Sequence, residues 1–262
     1  MTDRNTTTLQ DRIRGVAVGA AIGDALGMPL EFQRASPSDQ LVRDLLPGRL
    51  PAGSFTDDTE MALAVAESLL ARKPLNPEDL AQRFVGWYRQ GPPDVGLYTS
   101  SVLSRIAAGA AWDQASNEVQ QRRPESAGNG SLMRNWPVAL AHWKSPVECL
   151  ADSVLQSRVT HAHSECTAAC AFESAMILLL LKGETPADAL VQARQQVALP
   201  PGLAAFVDEA PQRRRDELRN TGWVRHTLES AVWALLTTSN FEEAAIQAAN
   251  LGADADTSAT VL

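Results

Sequence analysis

Apolar residues recur at steps of three and four along almost the whole chain, and strict alternation is nearly absent. Ile13, Val16, Ala17, Ala20, Ala21 and Ala25 follow this spacing, as do Leu63, Ala66, Leu69 and Leu70, and later Leu228, Ala231, Val232 and Leu235. Proline and glycine clusters at 47–53, 91–96, 124–130, 183–186 and 200–202 cut the pattern into runs of roughly 10 to 20 residues, the usual length of globular helices. The pattern predicts an all-α fold, a compact helical bundle. At 262 residues and 45% hydrophobic, the chain can bury one sizeable core, and a single domain over residues 1–262 is expected. Gly15, Gly19, Gly23 and Gly27 recur every fourth residue on one helical face. Arg12, Arg14 and Asp24 in that run argue against a membrane helix, so close packing of a central helix is the expected use of the stripe.

Two short acidic motifs lie almost two hundred residues apart, each at an expected helix start: Thr56, Asp57, Asp58 and Thr59, then Asp254, Ala255, Asp256 and Thr257. Together they offer four carboxylates and several hydroxyls, the oxygen set that hard divalent cations require. Either motif alone fits helix capping as well as ligation. Asp57 with Glu60 matches a capping box ahead of Met61, Ala62, Leu63, Val65 and Ala66. Adjacent carboxylates repel unless a cation neutralises them, so metal binding is expected to stabilise the fold.

Gly128, Asn129, Gly130 and Ser131 precede the apolar Leu132, Met133, Trp136 and Val138 and read as a loop entering a helix. Glycines there allow N–H groups to face an anion such as a diphosphate, although an ordinary turn has the same composition. His161 and His163 precede Ser164 and Glu165 in another capping arrangement, and His161 also fits a satisfied structural histidine. Tyr98 and Trp136 fit either the core or stacking on a base. Asp24 fits a role in satisfying buried backbone or hydroxyl groups.

Five segments carry a resemblance to the ADP-ribosylglycohydrolase family: 15–32 (GVAVGAAIGDALGMPLEF), 55–70 (FTDDTEMALAVAESLL), 128–138 (GNGSLMRNWPV), 160–163 (THAH) and 250–257 (NLGADADT). They occur in the family's order. The resemblance implies an α-helical fold, a hydrolase that removes ADP-ribose from a modified acceptor, most readily ADP-ribosyl-arginine, and two Mg2+ or Mn2+ ions held by Thr56, Asp57, Asp58, Asp254, Asp256 and Thr257. An O-linked or small-molecule adduct, or binding of ADP-ribose without turnover, are the alternatives. It implies Glu31, Asp57, Asp58 and Asp94 as candidate catalytic carboxylates, and Gly128, Asn129, Gly130, Ser131 and His161 at the phosphates and distal ribose. Asp94 matches a loop position that touches the proximal ribose or leaving group, while Leu97, Tyr98, Thr99, Ser100 and Ser101 after it depart from the pattern. Ala253 stands where glycine is frequent, and little effect is expected. In the family the second acidic motif opens a helix that continues well past it. Here five residues follow Thr257, so that helix is expected to be poorly anchored.

The formal charge of −8 disfavours general nucleic-acid binding, and Arg213, Arg214 and Arg215, followed by Asp216 and Glu217, read as a solvated helix face. Cys149, Cys166 and Cys170 are expected as buried thiols rather than a disulfide framework. The start of the chain lacks the basic and apolar regions of a signal peptide, and the apolar run 175–181 is seven residues, against roughly 20 for a bilayer span. A soluble cytoplasmic protein, with an ADP-ribosylated protein or small conjugate as partner and no membrane, is the expectation.

Overall fold

A computed structural model describes residues 7–262, and among them thirteen α-helices and no strand. In chain order these are α1 (Leu9–Gly27), α2 (Asp57–Ala71), α3 (Pro77–Arg89), α4 (Leu97–Ala107), α5 (Trp112–Arg122), α6 (Trp136–Ala141), α7 (Pro146–Arg158), α8 (Ser164–Lys182), α9 (Pro186–Gln196), α10 (Pro201–Glu209), α11 (Val224–Thr237), α12 (Phe241–Ala249) and α13 (Ala255–Val261). One isolated antiparallel bridge pairs Gly128 with Trp223. Local chemistry sets the helix ends. Thr8 and Asp11 close a capping box on α1, Asn76 caps α3 with Pro77 in its first turn, Thr185 does the same beside Pro186 in α9, and Gly183 ends α8 at φ 96°.

Two apolar clusters make up most of the core. One gathers Phe172, Leu179, Leu203, Val224, Leu228, Ile246 and Ala259 from α8 and the helices after it, and the other gathers Met61, Leu69, Leu80, Phe84, Leu103, Val119 and Val138 from α2 to α6. They meet along α8, whose Leu178 belongs to the second cluster and whose Phe172 belongs to the first. Helix α8 as a whole is long and apolar enough to cross a bilayer, which the seven-residue run alone did not convey, but 72% of its apolar window is buried by the other helices. The three thiols are free and buried, as expected.

The glycine stripe does the packing expected of it at three of four positions. A Cβ on Gly23 would lie 2.0 Å from the Ala259 carbonyl oxygen, one on Gly27 would lie 2.4 Å from Asp256 Cα, and one on Gly19 would meet the Phe241 ring at 3.2 Å. Gly15 has nothing within 4 Å. The backbones of α1 and α13 thus touch directly, and every residue from Ala255 to Val261 is buried. This corrects the expectation of a poorly anchored last helix: contact with α1 anchors it, whatever follows.

Other expectations are also corrected. The glycine loop does not run straight into a helix, because residues 131–134 form turns and α6 begins at Trp136. The arginine run is not one solvated helix face. Arg213 pairs with Glu209 and Glu229, Arg214 stays in solvent with Asp216, and Arg215 donates to the carbonyls of Ser36 and Asn250. Ala253 is not a neutral replacement for glycine, since it sits at φ 52°, a left-handed conformation that costs a side chain about 1 kcal/mol. Reciprocal backbone hydrogen bonds hold it there, from Phe32 N–H to its carbonyl at 2.7 Å and from its N–H to the Gln33 carbonyl at 2.8 Å.

Gly23→Ala and Gly27→Ala should each separate α1 from α13 and lower unfolding stability by about 2 kcal/mol or more, through overpacking against backbone that cannot yield. Gly15→Ala has room and should stabilise by about 0.5–1 kcal/mol through helix propensity. Urea denaturation of the three variants tests this; equal effects at all three sites would refute the direct backbone contact.

Candidate active site

Helix α1 brings Asp24 to the start of α2. The Asp24 carboxylate is fully buried and accepts hydrogen bonds from the N–H groups of Thr56 and Thr59 at 3.0 Å and from Thr59 Oγ1 at 2.6 Å. It satisfies donors of the first turn that the helix itself leaves free, the supporting role expected for it. Thr56, not Asp57, is the N-cap, its Oγ1 facing Asp58 N–H at 3.4 Å. The capping box read between Asp57 and Glu60 does not form. Glu60 instead accepts Trp87 Nε1–H at 2.6 Å, and Asp57 and Asp58 are left to line the cleft.

The second motif arrives through the close α1–α13 crossing. Thr257 Oγ1 lies 3.4 Å from Asp58 Oδ2 and 3.4 Å from Asp254 Oδ1, so the two motifs meet. Asn129 donates from Nδ2 to Asp254 Oδ2 and, at 2.8 Å, to Thr227 Oγ1, which fixes the Asp254 carboxylate. Carboxylate oxygens of Glu31, Asp254 and Asp256 all lie within 4.8 Å of one another. The Arg49 guanidinium joins this edge: Nε donates to Glu31 Oε2 at 3.0 Å, Nη2 pairs with Asp94, and Nη2 stands 3.7 Å from Asp256 Oδ2.

Burial dominates the electrostatics. It raises Asp57, Asp58 and Asp256 well above the usual aspartate range, helped by Asp94 at Asp57, by Asp256 at Asp58 and by Asp254 at Asp256. Burial also raises Asp254, Glu31 and Asp24, against hydrogen bonds from Asn129, Arg49 and Thr59 respectively. Asp58 Oδ1 is buried without a hydrogen-bond partner, an acceptor aimed at nothing within the chain. An all-oxygen donor set, mutual repulsion and an orphaned carboxylate oxygen fit a hard divalent cation.

The whole cleft has a volume of about 410 Å³, and beside the carboxylates it is lined by Gly128, Asn129, Gly130, His161, Tyr98, Thr99 and Gly222. A Cβ on Gly130 would come within 3.0 Å of His161 Cε1, so glycine lets this loop lie against the imidazole. His161 stacks on Tyr98 with ring centroids 4.8 Å apart. Burial, with the Arg134 charge next, pushes His161 down to about 3, leaving the ring neutral near pH 7. Arg134 donates to Thr160 Oγ1 at 2.7 Å, so the Thr160 hydroxyl hydrogen is directed to His161 Nδ1, 2.8 Å away. That assignment leaves the proton on Nε2, beside the glycine loop.

Thr56 and Ser131 lie behind the lining. Ser131 is fully buried and its Oγ accepts from Ser157 at 2.8 Å. Trp136 is remote, lining an apolar groove with Val16, Gly19 and Ile177. His163 caps α8 through Nδ1. Two residues had not been singled out from sequence. Arg134, an arginine inside the run from Leu132 to Val138, was the one with a signal, since a charge in an apolar run must find buried partners; its guanidinium packs over the Phe84 ring at 4.2 Å. Arg49 sits among turn residues and carries no such mark.

Carboxylic acids raised in the folded chain hold their protons more tightly there than when unfolded. Their stability contribution is complete below about pH 4 and is lost as pH rises through the folded values. His161, depressed by burial, works in the opposite sense only below about pH 6.5. From pH 6.5 upward the thermal midpoint of the metal-free protein should therefore fall, and saturating Mn2+ should reduce the fall to the part that belongs to Glu173, a buried acid outside the cleft raised to about 8. A midpoint that rises across this window without metal would contradict the raised carboxylic acids of the cleft.

The family model for ADP-ribosylglycohydrolase matches residues 5–262. The chain is 37% identical over 259 residues to the ADP-ribosylarginine hydrolase Tri1 of Serratia proteamaculans (strain 568), covering 94% of this chain and 68% of that protein. It is 29% identical to the ADP-ribosyl-[dinitrogen reductase] glycohydrolase of Rhodospirillum rubrum, over 95% of this chain and 82% of the relative. A solved structure described as an ADP-ribosylglycohydrolase-related protein complex superposes with a TM-score of 0.80 at 33% identity, covering 97% of this chain and 85% of that one. With its all-helical fold and its acidic cleft, this chain belongs to the ADP-ribosylglycohydrolase family, enzymes that hydrolyse glycosidic linkages of ADP-ribose.

Proposed function

We propose that this protein is a metal-dependent hydrolase that cleaves the bond between ribose C1 of ADP-ribose and the guanidinium of a modified arginine on a protein. The observation that carries the reading is the meeting of the two acidic motifs: Thr257 bridges Asp58 and Asp254, while Asp256 and Glu31 complete the group. Asp57, Asp58, Asp254 and Asp256, with Glu31 and Thr257 beside them, would hold two Mg2+ or Mn2+ ions. When bound, such ions supply Lewis-acid stabilisation of developing charge and lower the pKa of a bound water.

The protein's own groups divide the remaining work. Asp94 and Glu31 form an acidic edge that already accepts the guanidinium of Arg49, which supports a guanidinium as the departing group. On the other side, the Gly128–Gly130 loop and the neutral His161, with Nε2–H toward the cleft, offer donors to a diphosphate without a fixed charge. Tyr98, also in the cleft lining, stacks on the imidazole ring and fixes its plane. A ligand with an anionic centre and a cationic end is thereby oriented along the cleft before any bond breaks. A carboxylate beside the attacking water, with Glu31, Asp57, Asp58 and Asp94 as candidates, takes its proton as C1 is attacked, and the guanidine leaves protonated. The similarity to an arginine-specific relative supports the acceptor.

Release of free ADP-ribose from an ADP-ribosyl-arginine peptide should require Mg2+ or Mn2+ and stop with chelator. Asp58→Asn should lower kcat by about 100-fold or more, since it removes a charged oxygen ligand. His161→Ala should act mainly on KM. Undiminished release in the presence of chelator would reject the metal-dependent reading, and binding of ADP-ribose without release would redirect the search to an O-linked adduct or to a binding protein.

A further inference from the structure

Arg49 occupies ground that a divalent ion would need. Its guanidinium contacts Glu31 through Nε and Nη2, pairs with Asp94, and stands 3.7 Å from Asp256. Glu31 and Asp256 are two of the three carboxylates whose oxygens converge within 4.8 Å. Among the described residues, no other lysine or arginine comes within 4.0 Å of Glu31, Asp94 or Asp256. A guanidinium brings one delocalised positive charge and only donors, so it can neutralise carboxylates but cannot coordinate. A divalent ion needs the same oxygens at about 2.0–2.6 Å and brings twice the charge. A divalent ion drawing on Glu31 Oε2 and the Asp256 edge would have to move the guanidinium aside.

The backbone beneath Arg49 is closely packed while its side chain, held only by ion pairs, reaches partly into solvent. Gly48 is pressed so close to the end of α1 that a Cβ would lie 2.7 Å from Pro29 Cα, and its N–H donates to the Leu50 carbonyl at 2.9 Å. The side chain of Arg49 itself is 29% exposed, and Asp94, on its outer side, is also partly open to solvent. Rotation of the arginine stem would carry the guanidinium outward without unfolding the segment.

We propose that Arg49 is an internal counter-cation that competes with metal: it neutralises the metal-free cluster, and a divalent ion binds only by displacing it from Glu31 and Asp256. This rests on reading the carboxylates as a divalent-ion site. Arg49 then sets the metal concentration at which the enzyme loads, and it holds the metal-free protein together in the meantime.

The test is calorimetric titration of the full chain with MnCl2, for wild type, Arg49→Gln and Arg49→Lys. Arg49→Gln should bind Mn2+ about tenfold more tightly than wild type, its metal-free thermal midpoint should be lower, and its rise on adding metal should be larger. Arg49→Lys keeps the competing charge and should stay near the wild-type affinity. In wild type, NMR of the Arg49 Nε–H during a titration with diamagnetic Mg2+ should show its protection from solvent exchange lost as metal binds, a readout that needs no variant to fold. Equal or weaker Mn2+ binding by Arg49→Gln, or an Nε–H that stays protected at saturating Mg2+, would overturn the competition while leaving the metal-dependent hydrolase intact. Absence of Mn2+ binding by all three proteins would overturn both.

Discussion

The cleft depends on one contact, the backbone-to-backbone crossing of α1 over α13. Gly23 and Gly27 remove the side chains that would hold these helices apart, and the start of α13 then lies against the end of α1. The same helix turns Asp24 toward the first turn of α2, so one rigid element sets the positions of both acidic motifs. Close approach is needed because carboxylate side chains are short. Motifs held at the usual helix separation of about 8–10 Å would not place Thr257 between Asp58 and Asp254.

That arrangement concentrates negative charge where water is scarce, and the fold carries the cost in two ways. Some oxygens have protein donors: Asn129 serves Asp254, the backbone of Thr257 serves Asp256, and Arg49 serves Glu31. Others, such as Asp58 Oδ1, have none. Any cation that such a site took up would stabilise the fold that brings these oxygens together. The second half of the cleft avoids this tension. His161 is kept neutral by burial and by the Arg134 charge, and glycines offer backbone where side chains would intrude.

Much of this was legible in the sequence because it rests on periodicity and on residues whose chemistry is local. The helical class follows from the three- and four-residue spacing, the crossing from the glycine stripe, and the oxygen-rich cluster from the two acidic motifs. What escaped rests on tertiary placement. Nothing near Gly48 announces that Arg49 reaches Glu31. Asn129 reads as a loop residue for phosphate until Thr227 and Asp254 are seen on either side of its amide. The N-cap moved from Asp57 to Thr56 because Asp24, thirty-two residues away in sequence, captures the Thr56 N–H, and Glu60 was drawn off by Trp87. Ser131 and Trp136 sit in plausible motif positions but face inward or toward another groove, since a short motif fixes residue types without fixing which side of the turn faces the cleft.

The two walls of the site are built differently, one on helices of the core and the other on connections between them. Asp57, Asp58, Asp256 and Thr257 stand on first turns of helices packed into the core, where a shift of any one would disturb Asp24 or the α1–α13 crossing. Arg49 and Asp94 stand on segments outside the helices, and Glu31 follows a single 3-10 turn at the end of α1. Residues on such connections can change length and side chain with little effect on the core. Residues 97–101, after Val95 and Gly96, open α4 instead, where Tyr98 and Thr99 are buried and Tyr98 stacks on His161 across the cleft from Glu31. On the proposed reading, a change at Arg49 or Asp94 would alter what the leaving group meets while the carboxylates beneath keep their geometry.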